Sequence, residues 1–186
     1  MAGTGGSALA LHPFVSALFL GLLAMGVVTD VRSRRIPNVL VLLLLAAGLI
    51  GALTGVSLAH SLLDALLGAL AGLAAWLPFW LLGLLGAGDV KYFAAAASWV
   101  GISLSWRSSL LAAVLGGVMG VMVLIYRRGF RQTVGEVALQ ARHASVILAE
   151  ANAGAADAKA RTFPYALPMA VALATAVLYP SVLLQH

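Results

Sequence analysis

The chain has 186 residues, of which 62% are apolar and 9% charged, and its mean hydropathy is +1.04. Soluble domains carry about 25% charged residues, and a globule of this size keeps too much surface wet to hide so many apolar side chains, so lipid is the solvent that fits. The net charge of +5 lies between apolar runs, which marks membrane orientation and excludes a nucleic-acid-binding face; the lack of cysteine excludes disulfides, zinc–thiolate sites and cysteine nucleophiles.

A membrane-spanning helix needs about 20 mostly apolar residues. The opening stretch MAGTGGSALALHPF holds no Lys or Arg, so it lacks the basic start of a signal peptide, and the apolar run Phe14 to Val28 is read as a retained first span. Further spans are expected at Val39 to Leu53, Leu62 to Leu85 (with Pro78 inside), Val90 to Leu104, Leu110 to Tyr126 and Pro168 to Leu184. The second and fourth are short and borrow flanking residues. The expected fold is therefore an all-α polytopic membrane bundle of about six transmembrane helices, forming a single domain. Gly51/Gly55, Gly68/Gly72 and Gly116/Gly120 form small-xxx-small pairs that allow helix backbones to approach closely in lipid.

One long connection runs from about residue 127 to 161. Val134, Val137, Ala138, Ala141, Ala144, Ile147 and Leu148 share one helical face, with Arg131, Gln132, Gln140 and Arg142 at polar positions. This pattern predicts an amphipathic helix at the membrane surface, followed by a flexible linker. With six spans, Arg32, Arg34, Arg35, Lys91 and the basic residues from Arg127 to Arg161 fall on one side, and only Arg107 on the other. Ten of the eleven basic residues thus mark the first side as cytoplasmic and place both termini outside.

Six acids are present. Glu136, Glu150 and Asp157 belong to the surface connection, and Asp64 lies at the outer end of the third span. Asp30 ends the first span and Asp89 opens the fourth, so both sit at the cytoplasmic face at similar depth. Position alone fits two helix-end charges at headgroup level. It also fits a pair sharing one proton, where the ionised carboxylate takes a proton from water while the protonated one donates to a carbonyl. Gly86 and Gly88, just before Asp89, permit an unwound backbone and close approach of an extended peptide. His12, His60, His143 and His186 are dispersed, so no metal site and no cofactor are expected.

The run Asp30-Val31-Arg32-Ser33-Arg34-Arg35-Ile36-Pro37-Asn38, the run Gly86-Ala87-Gly88-Asp89-Val90-Lys91 and the softer Phe163-Pro164-Tyr165-Ala166-Leu167-Pro168 together resemble the type IV prepilin peptidases, membrane aspartic proteases of the GxGD type. The resemblance implies that Asp30 and Asp89 are the catalytic pair, with Gly86, Gly88 and Lys91 supporting. It implies cleavage of the basic leader from pilin-like precursors at the cytoplasmic face of a bacterial inner membrane. Larger members carry a four-cysteine module linked to N-methylation of the product. The lack of Cys makes the chain similar to the short, peptidase-only branch associated with tight-adherence (Flp) pili, with no methyltransferase activity implied. Readings from other classes are a small proton-coupled transporter or channel subunit using Asp30, Asp64 or Asp89, and a non-catalytic secretion assembly factor. No internal repeat of the kind many transporters show is visible.

Overall fold

The computed structural model describes residues 13–33, 35–81, 85–128 and 165–179. These residues are helical apart from the turns that join them: α1 (Pro13–Ser33), α2 (Asn38–Leu53), α3 (Leu62–Leu81), α4 (Ala87–Ala97), α5 (Gly101–Arg128) and α6 (Ala166–Leu178). The all-helical fold agrees with the sequence expectation. The amphipathic helix expected in the long connection lies outside the described residues.

Three helices, α1, α3 and α5, are long and apolar enough to cross a membrane; α2 and α6 are shorter apolar helices. Their outward faces carry large apolar side chains such as Leu42, Leu63, Val114 and Met122, each more than 60% exposed. Water would penalise that surface and lipid does not. A helix pairs its interior backbone groups within itself, as lipid requires.

α4 differs from the others. Its 11 residues rise only about 16 Å, roughly half of the ~30 Å hydrocarbon core. From Tyr92 to Ala97 every residue is buried, and α4 exposes no large apolar side chain. It packs against α3, α2, α6 and α5 and is enclosed by them. A short helix is tolerated at membrane depth when protein surrounds the backbone that follows it. Here the Trp99 carbonyl accepts the N–H groups of Leu58 and Ala59 at 3.0 and 3.1 Å, and Ser98 Oγ donates to the Ala95 carbonyl at 2.7 Å.

The boundary between the fourth and fifth helices therefore differs from the expected one. The apolar run Val90 to Leu104 is not one helix: it breaks at Ser98–Val100, and α5 begins at Gly101. Gly101 has φ +75°, a conformation that favours glycine, and a Cβ there would run into the Asp64 carboxylate. Asp64 fixes this corner. Its Oδ2 accepts the His60 N–H and its Oδ1 the Ile102 N–H, each at 3.0 Å, so one side chain caps the starts of α3 and α5.

The Gly68/Gly72 pair packs as expected: Cβ atoms there would lie 2.7 Å from the Ala97 carbonyl oxygen and 2.9 Å from Ala97 Cβ. Gly51 and Gly55 instead serve the turn after α2, Gly55 with φ +72°. Trp99 locks the centre. Its indole N–H donates to the Leu44 carbonyl at 2.8 Å and its ring lies 4.9 Å from that of Phe19. The chain alternates, so the α2–α3 and α4–α5 connections meet at one end of the bundle through Leu58, Ala59 and Trp99. The α1–α2 and α3–α4 connections meet at the other through Ile36 and Gly88.

Candidate active site

Asp30 and Asp89 occupy that second end. Asp30 lies in the last turn of α1 and is 7% exposed; Asp89 is the third residue of α4 and is 5% exposed. The two carboxyls are close enough for the charge of each to act on the other. Separated by 59 positions in the chain (89 − 30), they are brought together by helix packing alone.

The two arrive for different local reasons. Asp89 sits at N3 of α4, where an acid complements the helix dipole. Its Oδ2 accepts the Gly86 N–H at 3.3 Å, which is the returning half of a capping box. Gly86 supplies no side chain for the other half. Asp30 sits at the C-terminal end of α1, where an acid opposes the dipole. It is buried there, and burying a carboxyl costs free energy that its surroundings must offset.

The segment that carries the Ile36-Pro37-Asn38 run folds onto the glycine-flanked acid. Ile36 is buried, and a Cβ built on Gly88 would lie 3.7 Å from Ile36 Cβ. Pro37 is the N-cap of α2, with extended backbone, so its missing N–H removes nothing from the helix ladder. Of the two glycines before Asp89, Gly86 is the extended one, with φ −76° and ψ 145°. Gly88 is already inside the first turn of α4 with an ordinary backbone, and it is Ile36 that a Cβ there would touch.

Lys91 is exposed, two positions beyond Asp89 and so on another face of α4. Among the described residues it makes no ion pair with Asp89. Arg32 and Arg35 are exposed as well. Asp64, at the opposite end of the bundle, does not join the pair. Among the described residues no cluster of three or more His, Cys, Asp or Glu has metal-binding geometry.

Two tyrosines belong to the site that residue-type reasoning did not single out. Tyr92 is fully buried one turn after Asp89 and feels the charges of both Asp30 and Asp89. Tyr165 precedes α6, is half-buried and feels the charge of Asp89. Its ring lies along α5, where Cβ atoms on Gly116 and Gly120 would come within 2.8 Å of Cε1 and 3.8 Å of its hydroxyl. An aromatic at the i+3 position from an intramembrane acid was the available signal for Tyr92. For Tyr165 it was the aromatic between two prolines.

Comparison with curated proteins and with solved structures finds no match. A family model does match: the type IV leader peptidase family, over residues 17–123. That range covers more than half of the 186 residues and contains both aspartates with the loops that hold them. The buried acid pair at one end of an apolar helix bundle and this match agree, and the chain belongs to the type IV leader peptidase family of membrane proteins.

Proposed function

We propose that the chain is an aspartic-type endopeptidase that removes the basic leader of type IV, Flp-like prepilins at the cytoplasmic face of the bacterial inner membrane, with Asp30 and Asp89 as its catalytic pair. The observation that carries this reading is the meeting of two buried carboxyls from α1 and α4 within the family-matched region. The family membership supports peptidase chemistry. The ten-to-one distribution of basic residues supports the cytoplasmic placement.

The chemistry needs one ionised and one protonated carboxyl. The ionised carboxylate takes a proton from a water molecule as the water oxygen bonds to the scissile carbonyl carbon. The protonated carboxyl gives its proton to the carbonyl oxygen, forming a neutral gem-diol. Collapse of the gem-diol re-forms the carbonyl and breaks the C–N bond. The departing nitrogen receives the proton taken from water, and the gem-diol returns one to the other carboxyl. One water is consumed, and a shortened pilin and a free leader acid are produced. No metal or organic cofactor enters this scheme. Methyl transfer is no part of the proposal.

The substrate this geometry suits has an apolar helix in lipid and a basic leader in the cytosol. The junction between them then lies at the depth of Asp30 and Asp89. On this reading the missing side chain of Gly88 eases the approach of an extended peptide to Asp89, and exposed Lys91 is available to a substrate carboxylate outside the catalytic pair. Asp30→Asn and Asp89→Asn test the reading. Each keeps side-chain size and should abolish processing of a co-expressed pilin precursor while membrane yield stays normal. The double variant should be no worse than either single one, because groups acting as a unit are not additive. A well-expressed single variant that processes at the wild-type rate would sink the proposal.

A further inference from the structure

Tyr92 ties the two halves of the acid pair together. It follows Asp89 by three residues, so both point from neighbouring parts of one face of α4. Its hydroxyl donates to the Leu23 carbonyl of α1 at 2.8 Å, a bond wholly inside the protein. Its ring fills the space above Gly26, where a Cβ would stand 2.8 Å from Cζ. Leu23, Gly26 and Asp30 are all buried and follow one another at i, i+3 and i+7, a single stripe of α1. The backbone of α1 approaches α6 and α2 more closely than it approaches α4. The helix bearing Asp30 and the helix bearing Asp89 are thus joined by a side chain more than by backbone packing. Tyr92 also lies within reach of both carboxyl charges.

We infer that Tyr92 is a positioning residue, which sets the separation of the Asp30 and Asp89 carboxyls by anchoring α4 to the Leu23–Gly26 stretch of α1. The inference rests on the reading of that pair as catalytic. Its phenol does not need to touch substrate. Without the hydroxyl, the ring can slide on Gly26, and the pair loses its fixed spacing.

Tyr92→Phe keeps the ring and removes the bond. In purified enzyme it should lower kcat about 10- to 100-fold, since a displacement near 1 Å costs that much, with KM within twofold and an unchanged melting midpoint in detergent. A second readout does not depend on activity. The chain has no cysteine, so Asp30→Cys with Asp89→Cys can be probed by bifunctional thiol reagents of graded length. With Tyr92 present, short reagents should dominate, and in the Tyr92→Phe background closure should spread to longer ones. Gly26→Ala, which drives a methyl into the ring, should give the same spread. Unchanged kcat with an unchanged reagent profile overturns the inference, as does a fall in kcat matched by a fall in melting midpoint. If Asp30→Asn stays active while the reagent profile still shifts, the tether stands and the catalytic assignment fails. If Asp30→Asn is dead and the profile does not shift, only the tether fails.

Discussion

Gly88→Ala separates the needs of the fold from those of the substrate, because it should move stability and activity in opposite directions. Gly88 is helical, and alanine inside a helix is favoured over glycine by about 0.5–1 kcal/mol. The new methyl would rest 3.7 Å from Ile36 Cβ and 3.8 Å from the Ile36 nitrogen, ordinary contact with nothing to displace. The melting midpoint in detergent should therefore hold or rise by up to about 4 °C. If the substrate approaches over Gly88 as proposed, the same methyl narrows its path to Asp89. Shifting the scissile bond by about 1 Å costs on the order of 100-fold in rate, so a processing time course should show a loss of that order. Gly68→Ala is the contrasting control. There the methyl would meet the Ala97 carbonyl oxygen at 2.7 Å and Gly101 backbone carbon at 2.8 Å, and overpacking of this kind costs about 1–3 kcal/mol. Full processing by a stable Gly88→Ala enzyme would show that the substrate does not pass over this face of α4, and the proposed approach route would be wrong.

Asp64→Ala removes the acceptor for two helix-start N–H groups, at about 0.5–2 kcal/mol per cap. It should lower the melting midpoint while surviving protein keeps its specific activity; loss of activity at unchanged stability would return Asp64 to the list of functional acids. Reporter fusions after Arg35 and Lys91 should read as cytoplasmic, and fusions near His60 or Arg107 as external; a cytoplasmic signal at both of the latter would overturn the orientation. Cleavage by the purified enzyme should persist in strong chelators, and activity that vanished with them and returned on adding zinc would replace the two-carboxylate scheme with a metal-assisted one.

Hydropathy located α1, α2, α3 and α6 because their outward faces carry large exposed apolar side chains. It failed at the fourth and fifth helices for a physical reason. Val90 to Leu104 is apolar throughout, yet the chain turns inside it, since the signals for that turn are Ser98 bonding back to Ala95, Gly101 at positive φ, and a carboxylate 37 residues earlier in sequence (101 − 64). Only the glycine and the serine are local, and both are common in membrane helices. Tyr92 escaped notice for a related reason. In the run Val90 to Ala97 an aromatic reads as core filling, and its hydrogen bond to Leu23 spans 69 positions. The acids were legible because charge is rare in such a chain.

What each acid does for its own helix distinguishes Asp64 from the proposed catalytic pair. Asp64 is only partly buried and caps two helices through two backbone bonds at 3.0 Å. Asp89 stands at N3 of α4 and holds the Gly86 N–H, so a structural account of it exists beside the catalytic one. Asp30 stands at the other end of its helix. It opposes the dipole of α1 from the last turn, is 7% exposed, and lies close enough to a second carboxyl to be repelled when both are charged. Three local rules are broken at one residue, and native sequences tolerate such conflicts mainly where a function requires them. The assignment of the pair therefore leans on Asp30 more than on the glycine-flanked Asp89. If only one variant were made, Asp30→Asn would be the more decisive. A structural role predicts a shift in the melting midpoint with the activity of the folded protein intact. A catalytic role predicts a protein at least as stable as the wild type that cleaves nothing.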